Sequence, residues 1–177
     1  ATTLLNNVRN VSQRRLLSFL GRMRYGYLDR YLFEATARAD GASVFAENNK
    51  WGFFPAVSVA WKLHNEPFMQ NVDAINEMKI RVSYGATGNQ GINSLESLGV
   101  ADDLPYVFGD QTVAGATASS RLPNPDLKWE TTKTLNTGVD FRLFNNLFEG
   151  TFEYYKANTT DLLLDRAIAG TTGFNVI

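Results

Sequence analysis

The sequence predicts an all-β chain, an antiparallel up-and-down meander that forms part of a transmembrane β-barrel, and three observations carry that prediction. Apolar and polar residues alternate with a period of two along most of the chain, which is the signature of a strand with unlike faces. The alternating runs are about 9 to 13 residues long, matching the 9 to 11 residues of a tilted strand crossing hydrocarbon and exceeding the 5 to 6 of an ordinary soluble strand. Connections also alternate between short turns and long polar loops, as they do at the two ends of an outer-membrane barrel.

The first run places Leu17, Phe19, Gly21, Met23, Tyr25 and Tyr27 on one face and Arg14, Leu16, Ser18, Leu20, Arg22, Arg24 and Gly26 on the other. Leu28-Asp29-Arg30 then reads as a tight turn. In the second run Tyr31, Phe33, Ala35, Ala37 and Ala39 oppose Arg30, Leu32, Glu34, Thr36, Arg38 and Asp40. A polar loop from Gly41 to Gly52 leads to the third run, where Phe53, Pro55, Val57, Val59, Trp61 and Leu63 face one way. Pro55 suits the beginning of a strand better than its middle, because proline cannot donate to the ladder.

One short helix is expected next, at the short-turn rim. Asn65 is placed to cap it, Pro67 falls in its first turn, and Phe68, Val72 and Ile75 recur at helical spacing. The fourth run, Lys79 to Thr87, sets Ile80, Val82, Tyr84 and Ala86 against Lys79, Arg81, Ser83, Gly85 and Thr87. After a long loop from Gly88 to Lys128, Leu135, Thr137, Val139, Phe141 and Leu143 oppose Asn136, Gly138, Asp140 and Arg142. Asn145-Asn146 turns the chain into the sixth run, since two asparagines tolerate the positive φ angles of a two-residue type I′ turn. There Phe148, Gly150, Phe152 and Tyr154 oppose Glu149, Thr151, Glu153 and Tyr155.

Composition narrows the chemistry. Seventeen Lys and Arg against eighteen Asp and Glu leave a net charge of −1, so the chain has no electrostatic footprint for nucleic acid. With no cysteine and one histidine, thiolate zinc sites, cysteine nucleophiles and most histidine chemistry are excluded. His64 reads as a rim residue, and Asp102, Asp103 and Asp110 lack the ligand spacing of a calcium loop. No cofactor, metal or catalytic centre is expected, and no helix-length apolar run is present. A soluble β-sandwich would also alternate, but strand length, loop asymmetry and aromatic placement favour the barrel.

Barrel geometry gives the two faces their candidate roles. Arg22, Arg24, Glu34, Arg38, Asp40, Arg81, Asp140, Arg142, Glu149 and Glu153 are the candidate lumen-facing polar residues, arranged for cross-strand ion pairs. Tyr25, Tyr27, Tyr31, Phe33, Trp61, Val82, Tyr84, Val139, Phe141, Phe148 and Phe152 are the candidate lipid-facing or interfacial girdle residues. A charge introduced at Val82 or Val139 is therefore expected to impair insertion by about 2 to 4 kcal/mol near mid-bilayer. Trp51, Tyr106, Phe108 and Trp129 are the candidate extracellular-loop contacts, able to stack on sugar rings or dock a lid. Six or seven strands do not close a membrane barrel, whose smallest forms have eight. The chain is accordingly read as a piece of a larger wall.

Five stretches resemble one family. They are Ser18-Phe19-Leu20-Gly21-Arg22 through Tyr25-Gly26-Tyr27-Leu28-Asp29-Arg30-Tyr31-Leu32; Arg38-Ala39-Asp40-Gly41-Ala42-Ser43; Asn49-Lys50-Trp51-Gly52-Phe53-Phe54-Pro55-Ala56; Lys79-Ile80-Arg81-Val82-Ser83-Tyr84-Gly85 to Gln90; and Asn124-Pro125-Asp126-Leu127-Lys128-Trp129-Glu130. Together they resemble the later barrel of the SusC/RagA-type TonB-dependent outer-membrane transporters of Bacteroidetes. The resemblance implies that residues 1–177 are part of a 22-stranded barrel domain, a size class of outer-membrane transporters, from its C-terminal half and without the plug domain or TonB box. It further implies import of oligosaccharides or peptides, a SusD-like lipoprotein lid, and energy from TonB, ExbB and ExbD acting through the absent N-terminal region. The expected location is the outer membrane, in contact with its lipid. The alternative function is a soluble secreted β-rich glycan-binding module.

Overall fold

The structure, a computed structural model, describes residues 13–92, 101–118, 122–169 and 171; within 101–118 only residues 107, 109 and 110 have their side-chain surroundings described. Six strands form one antiparallel sheet: β1 (Leu16–Tyr27), β2 (Tyr31–Ala42), β3 (Trp51–Lys62), β4 (Ile75–Asn89), β7 (Glu130–Leu143) and β8 (Phe148–Thr160), in spatial order β1-β2-β3-β4-β7-β8. A separate hairpin, β5 (Ala101–Phe108) with β6 (Gln111–Ala118), lies in the connection between β4 and β7, where the sequence predicts only a long polar loop. Gly109, at φ 64°, supplies its turn.

Strand registers follow the alternation. Directly paired residues share a face, and one row runs Tyr25, Phe33, Val59, Val82, Thr137, Tyr154 across all six strands. The next row on the opposite face runs Arg24, Glu34, Ser58, Ser83, Asn136, Tyr155. Pro55 is the fifth residue of β3 rather than near its first. Its missing N–H falls where the β3–β4 ladder ends, since pairing with β4 begins at Ala56.

Both expected tight turns form. Leu28 and Asp29 have φ of 53° and 51°, with Arg30 N donating to Tyr27 O at 3.0 Å. At Asn145 and Asn146 φ is 55° and 63°, and Leu147 N donates to Phe144 O at 3.1 Å. Phe144 also lies in the left-handed region at 53°, with its N–H donated to Ala74 O.

The rim helix does not form as expected. Residues 63–75 instead run through two 3₁₀ turns, Leu63–Asn65 and Pro67–Met69, and Ile75 already opens β4. Successive i to i+3 bonds hold this segment: Glu66 N to Leu63 O, Met69 N to Glu66 O, Val72 N to Met69 O and Ile75 N to Val72 O. Asn65 caps nothing, because its Nδ2 donates to Asp29 O at 2.7 Å and to Asp29 Oδ2 at 3.1 Å. The connection is thereby tied to the β1–β2 turn.

The buried apolar residues collect at the long-loop end. Ala42, Val44, Phe45, Phe54, Ile92 and Trp129 form the cluster, with Ala86, Leu127 and Leu163 against it. Phe45 and Phe54 contact Trp129 at ring-centroid distances of 5.2 and 5.4 Å, and Trp129 Nε1 donates to Lys50 O at 3.0 Å.

Candidate functional site

All ten predicted polar residues lie on one face of the sheet, and each takes part in an ion pair. Arg24 Nε meets Glu34 Oε2 at 2.6 Å and Arg22 Nε meets Glu34 Oε1 at 3.4 Å. Arg38 Nε lies 2.8 Å from Asp40, which is 4% exposed. Toward the other edge Asp140 accepts from Lys79 Nζ at 3.0 Å, Arg81 Nε at 3.2 Å and Thr151 Oγ1 at 3.0 Å, while Arg81 also pairs with Glu153. Arg142 bridges Glu77 at 3.3 Å and Glu149 at 3.2 Å. Most pairs join neighbouring strands by a single ladder step or its diagonal, whereas Arg38 and Asp40 are two residues apart on β2, and Arg81 reaches Glu153 across Gly138 of the intervening β7.

Between these charged clusters lies a trough in whose lining Glu34 is the one charged side chain. Thr36, Ser58, Ser83, Thr134 and Asn136 line it beside Ala56 and Gly85, and the small side chains leave it concave. The face thus alternates charged walls with a hydroxyl-rich floor.

The opposite face carries hydrocarbon. Tyr25, Tyr27, Phe33, Val82, Tyr84, Phe148 and Phe152 are exposed, Phe152 at 72%, whereas Tyr31, Trp61, Val139 and Phe141 are half-buried. Near the short-turn rim the rings stack across strands: Tyr27 on Tyr31 at 6.4 Å, Tyr31 on Trp61 at 6.3 Å, and Tyr25 on Phe33 at 6.5 Å. Soluble monomers rarely expose an apolar patch beyond a few hundred square ångströms. A six-strand apolar face needs a nonaqueous neighbour.

At the same rim Glu66, 6% exposed, accepts from Tyr31 Oη at 2.7 Å and Trp61 Nε1 at 2.9 Å and pairs with Arg30 at 3.4 Å. Those hydrogen bonds, the one from Trp61 first, hold its carboxyl below the ordinary glutamate value against the cost of burial. Asp29 is likewise held low, chiefly by Lys62 Nζ at 2.6 Å. His64 sits here too, its Nδ1 accepting from Met78 N at 3.3 Å. Among the described residues no group of three or more metal-ligating side chains converges.

The loop aromatics fare differently. Trp51 opens β3 on the apolar face, stacked on Phe19 at 6.0 Å, so it is a strand residue and not a loop contact. Trp129 is 6% exposed and packed into the apolar cluster, so it is not a free loop ring. Tyr106 and Phe108 fall in β5, where their side chains lie outside the described residues, as do those of Asp102 and Asp103. Glu66, Glu77 and Phe54 were missed. Glu66 and Glu77 precede the recognisable fourth run, and Phe54 breaks the alternation by placing a ring on the polar face.

Comparison with known proteins gives a consistent answer. Residues 2–176 match the family described as TonB dependent receptor-like, beta-barrel. TonB-dependent receptor P3 of Formosa agariphila is 41% identical over 163 residues, covering 92% of this chain and 16% of that protein. The TonB-dependent receptor SusC of Bacteroides thetaiotaomicron is 38% identical over 165 residues, covering 90% of this chain and again 16% of the relative. Among solved structures, that of the RagAB peptide transporter superposes with a TM-score of 0.84 at 28% identity, over 92% of this chain and 18% of that one.

Proposed function

This chain belongs to the TonB-dependent receptor-like β-barrel family, and on that premise we propose that it is a wall segment of an outer-membrane importer of oligosaccharides or peptides. The observation that supports the reading is the division of one sheet into a charged face and a hydrocarbon face, continuous across six strands. In this reading the ion-paired face, from Arg22 and Arg24 to Glu149 and Glu153, lines the lumen, and the face of Tyr25, Val82 and Val139 meets lipid. The chain contributes part of a barrel domain of 22 strands, and the rest of the protein supplies the plug. A SusD-like lipoprotein covers the long-loop end and TonB with ExbB and ExbD powers release from the opposite side. The soluble-module alternative is set aside, since the family consists of outer-membrane barrels.

Transport, not catalysis, is the activity assigned. Deleting the gene that carries this segment should abolish growth on at least one oligosaccharide or peptide source, and loss of TonB should reproduce the defect. Unchanged growth on every source that the TonB-deficient strain cannot use would overturn the reading.

A further inference from the structure

One concavity on the polar face is not filled by the face's own ion pairs. At the long-loop end a groove of about 470 Å³ runs over β1, β2, β3 and the end of β4, lined by Arg22, Arg38, Asp40, Phe54, Gln90 and Trp129 among others. Phe54 and Trp129, packed edge to face at 5.4 Å and each 6% exposed, give it an apolar floor. Asp40, two residues beyond Arg38 on the same strand face, is buried and engages Arg38 through Nε at 2.8 Å. The guanidinium is oriented by this contact while its terminal nitrogens keep no partner among the described residues. Arg81 and Arg142, by contrast, each spend their forks on two carboxylates.

A second observation points to a ligand at the same place. The Oε1 atom of Gln90 is buried and has no hydrogen-bond partner among the described residues. A buried polar atom left unpaired costs about 1 to 3 kcal/mol, and a ligand in the groove would remove that cost. The arginine fork, the amide and the apolar floor together describe one kind of guest.

We propose that this groove is a cargo subsite for a carboxylate, held by the Arg38 fork, with a neighbouring hydroxyl or amide N–H given to Gln90. A planar guanidinium matches a carboxylate with two parallel hydrogen bonds. Neutral sugars and amidated peptides offer the fork no such partner. The carboxylate is that of a uronate sugar or of a peptide, and the proposal rests on the transporter reading above.

The test uses the full-length protein carrying this segment, purified in detergent, and titration calorimetry with two matched pairs: trigalacturonate and its methyl ester, trialanine and trialanine amide. At least one acid is expected to bind tenfold or more tightly than its neutral partner, and which acid does so identifies the source. Arg38→Gln with Asp40→Asn, made together so that no buried charge is stranded, should erase that preference while the barrel keeps its heat-modifiable migration. Gln90→Leu, which strands nothing, should weaken the acid severalfold and decides the matter if the double variant does not fold. Equal binding within both pairs, binding by neither acid, or a preference that survives these changes would overturn the subsite. Equal binding of acid and neutral forms would leave the importer reading standing, whereas growth unaffected by gene deletion would remove the importer itself.

Discussion

At the short-turn rim a buried carboxylate, Glu66, gathers donors from Arg30, Tyr31 and Trp61, and the aromatic rings around it stay partly exposed. At the long-loop rim six apolar side chains bury one another, and the largest of them come from a connection, a strand and the approach to another strand. The same sheet is therefore closed by polar chemistry at one end and by packing at the other. Short turns bring too few side chains together to make a core, so a hydrogen-bonded clasp fixes their connection. Long connections can fold back and bury rings on a face that is mostly polar, which is where Phe54 sits. The two ends should consequently fail under different insults.

The largest separation is expected from Phe54→Ala. Removing a buried ring typically costs about 3 to 5 kcal/mol, so urea unfolding of the full-length barrel should show a loss of that order. Hydrogen exchange should locate the loosening at residues 42–45 and 127–129, with residues 63–69 unchanged. A loss confined to the short-turn rim would break the comparison.

Gly88→Ala acts on the same cluster from the opposite direction. A Cβ at Gly88 would overlap the Phe54 ring, and one at Gly52 would lie 2.5 Å from it. Overpacking of this kind costs about 1 to 3 kcal/mol. Combining Gly88→Ala with Phe54→Leu should cost less than the two changes added, because the second makes room for the first. Strict additivity in the unfolding data would show that the ring and the glycine do not share the space.

The short-turn rim is the acid-sensitive one. Glu66 is held below its ordinary value near 4.5, so its contribution is complete above that value and is lost as pH falls through the lower, folded one. Asp29 shifts in the same direction and adds to the effect. Protection factors for the amides of residues 63–69 should therefore drop as pH falls below about 4.5, the unperturbed carboxylate range. Glu66→Gln should show the acid level of protection already at neutral pH and little further change. A variant that matches the parent at neutral pH would contradict the clasp.

How much of this was legible in the sequence depends on range. The faces of β1, β2, β4 and β7 could be read directly, because each strand separates unlike surroundings and every second residue reports on one of them. The turn at Asn145 and Asn146 was equally plain, since its backbone demands residues that tolerate positive φ. Residues 65–75 misled, because Phe68, Val72 and Ile75 fall at helical spacing while the chain bonds i to i+3 and Asn65 is drawn off to Asp29. Trp129 looked like a loop aromatic because nothing local tells that Phe45 and Phe54 will enclose it. The polar residues named from alternation alone all reached one face, but their pairing, such as Arg142 with Glu77, required the register.

The central claim is that this sheet separates lipid from lumen, and a spin-label scan of β7 tests it most directly. Single cysteines at residues 134–142 of the full-length protein, in a background otherwise without cysteine, would carry nitroxides in reconstituted outer-membrane lipid. The account predicts that oxygen, which concentrates in lipid, relaxes the labels at Leu135, Thr137, Val139 and Phe141 more than those between them, with a period of two. A water-soluble nickel complex should show no maximum at those four positions. Uniform accessibility along β7, or an oxygen maximum at Asn136, Gly138 and Asp140, would contradict it.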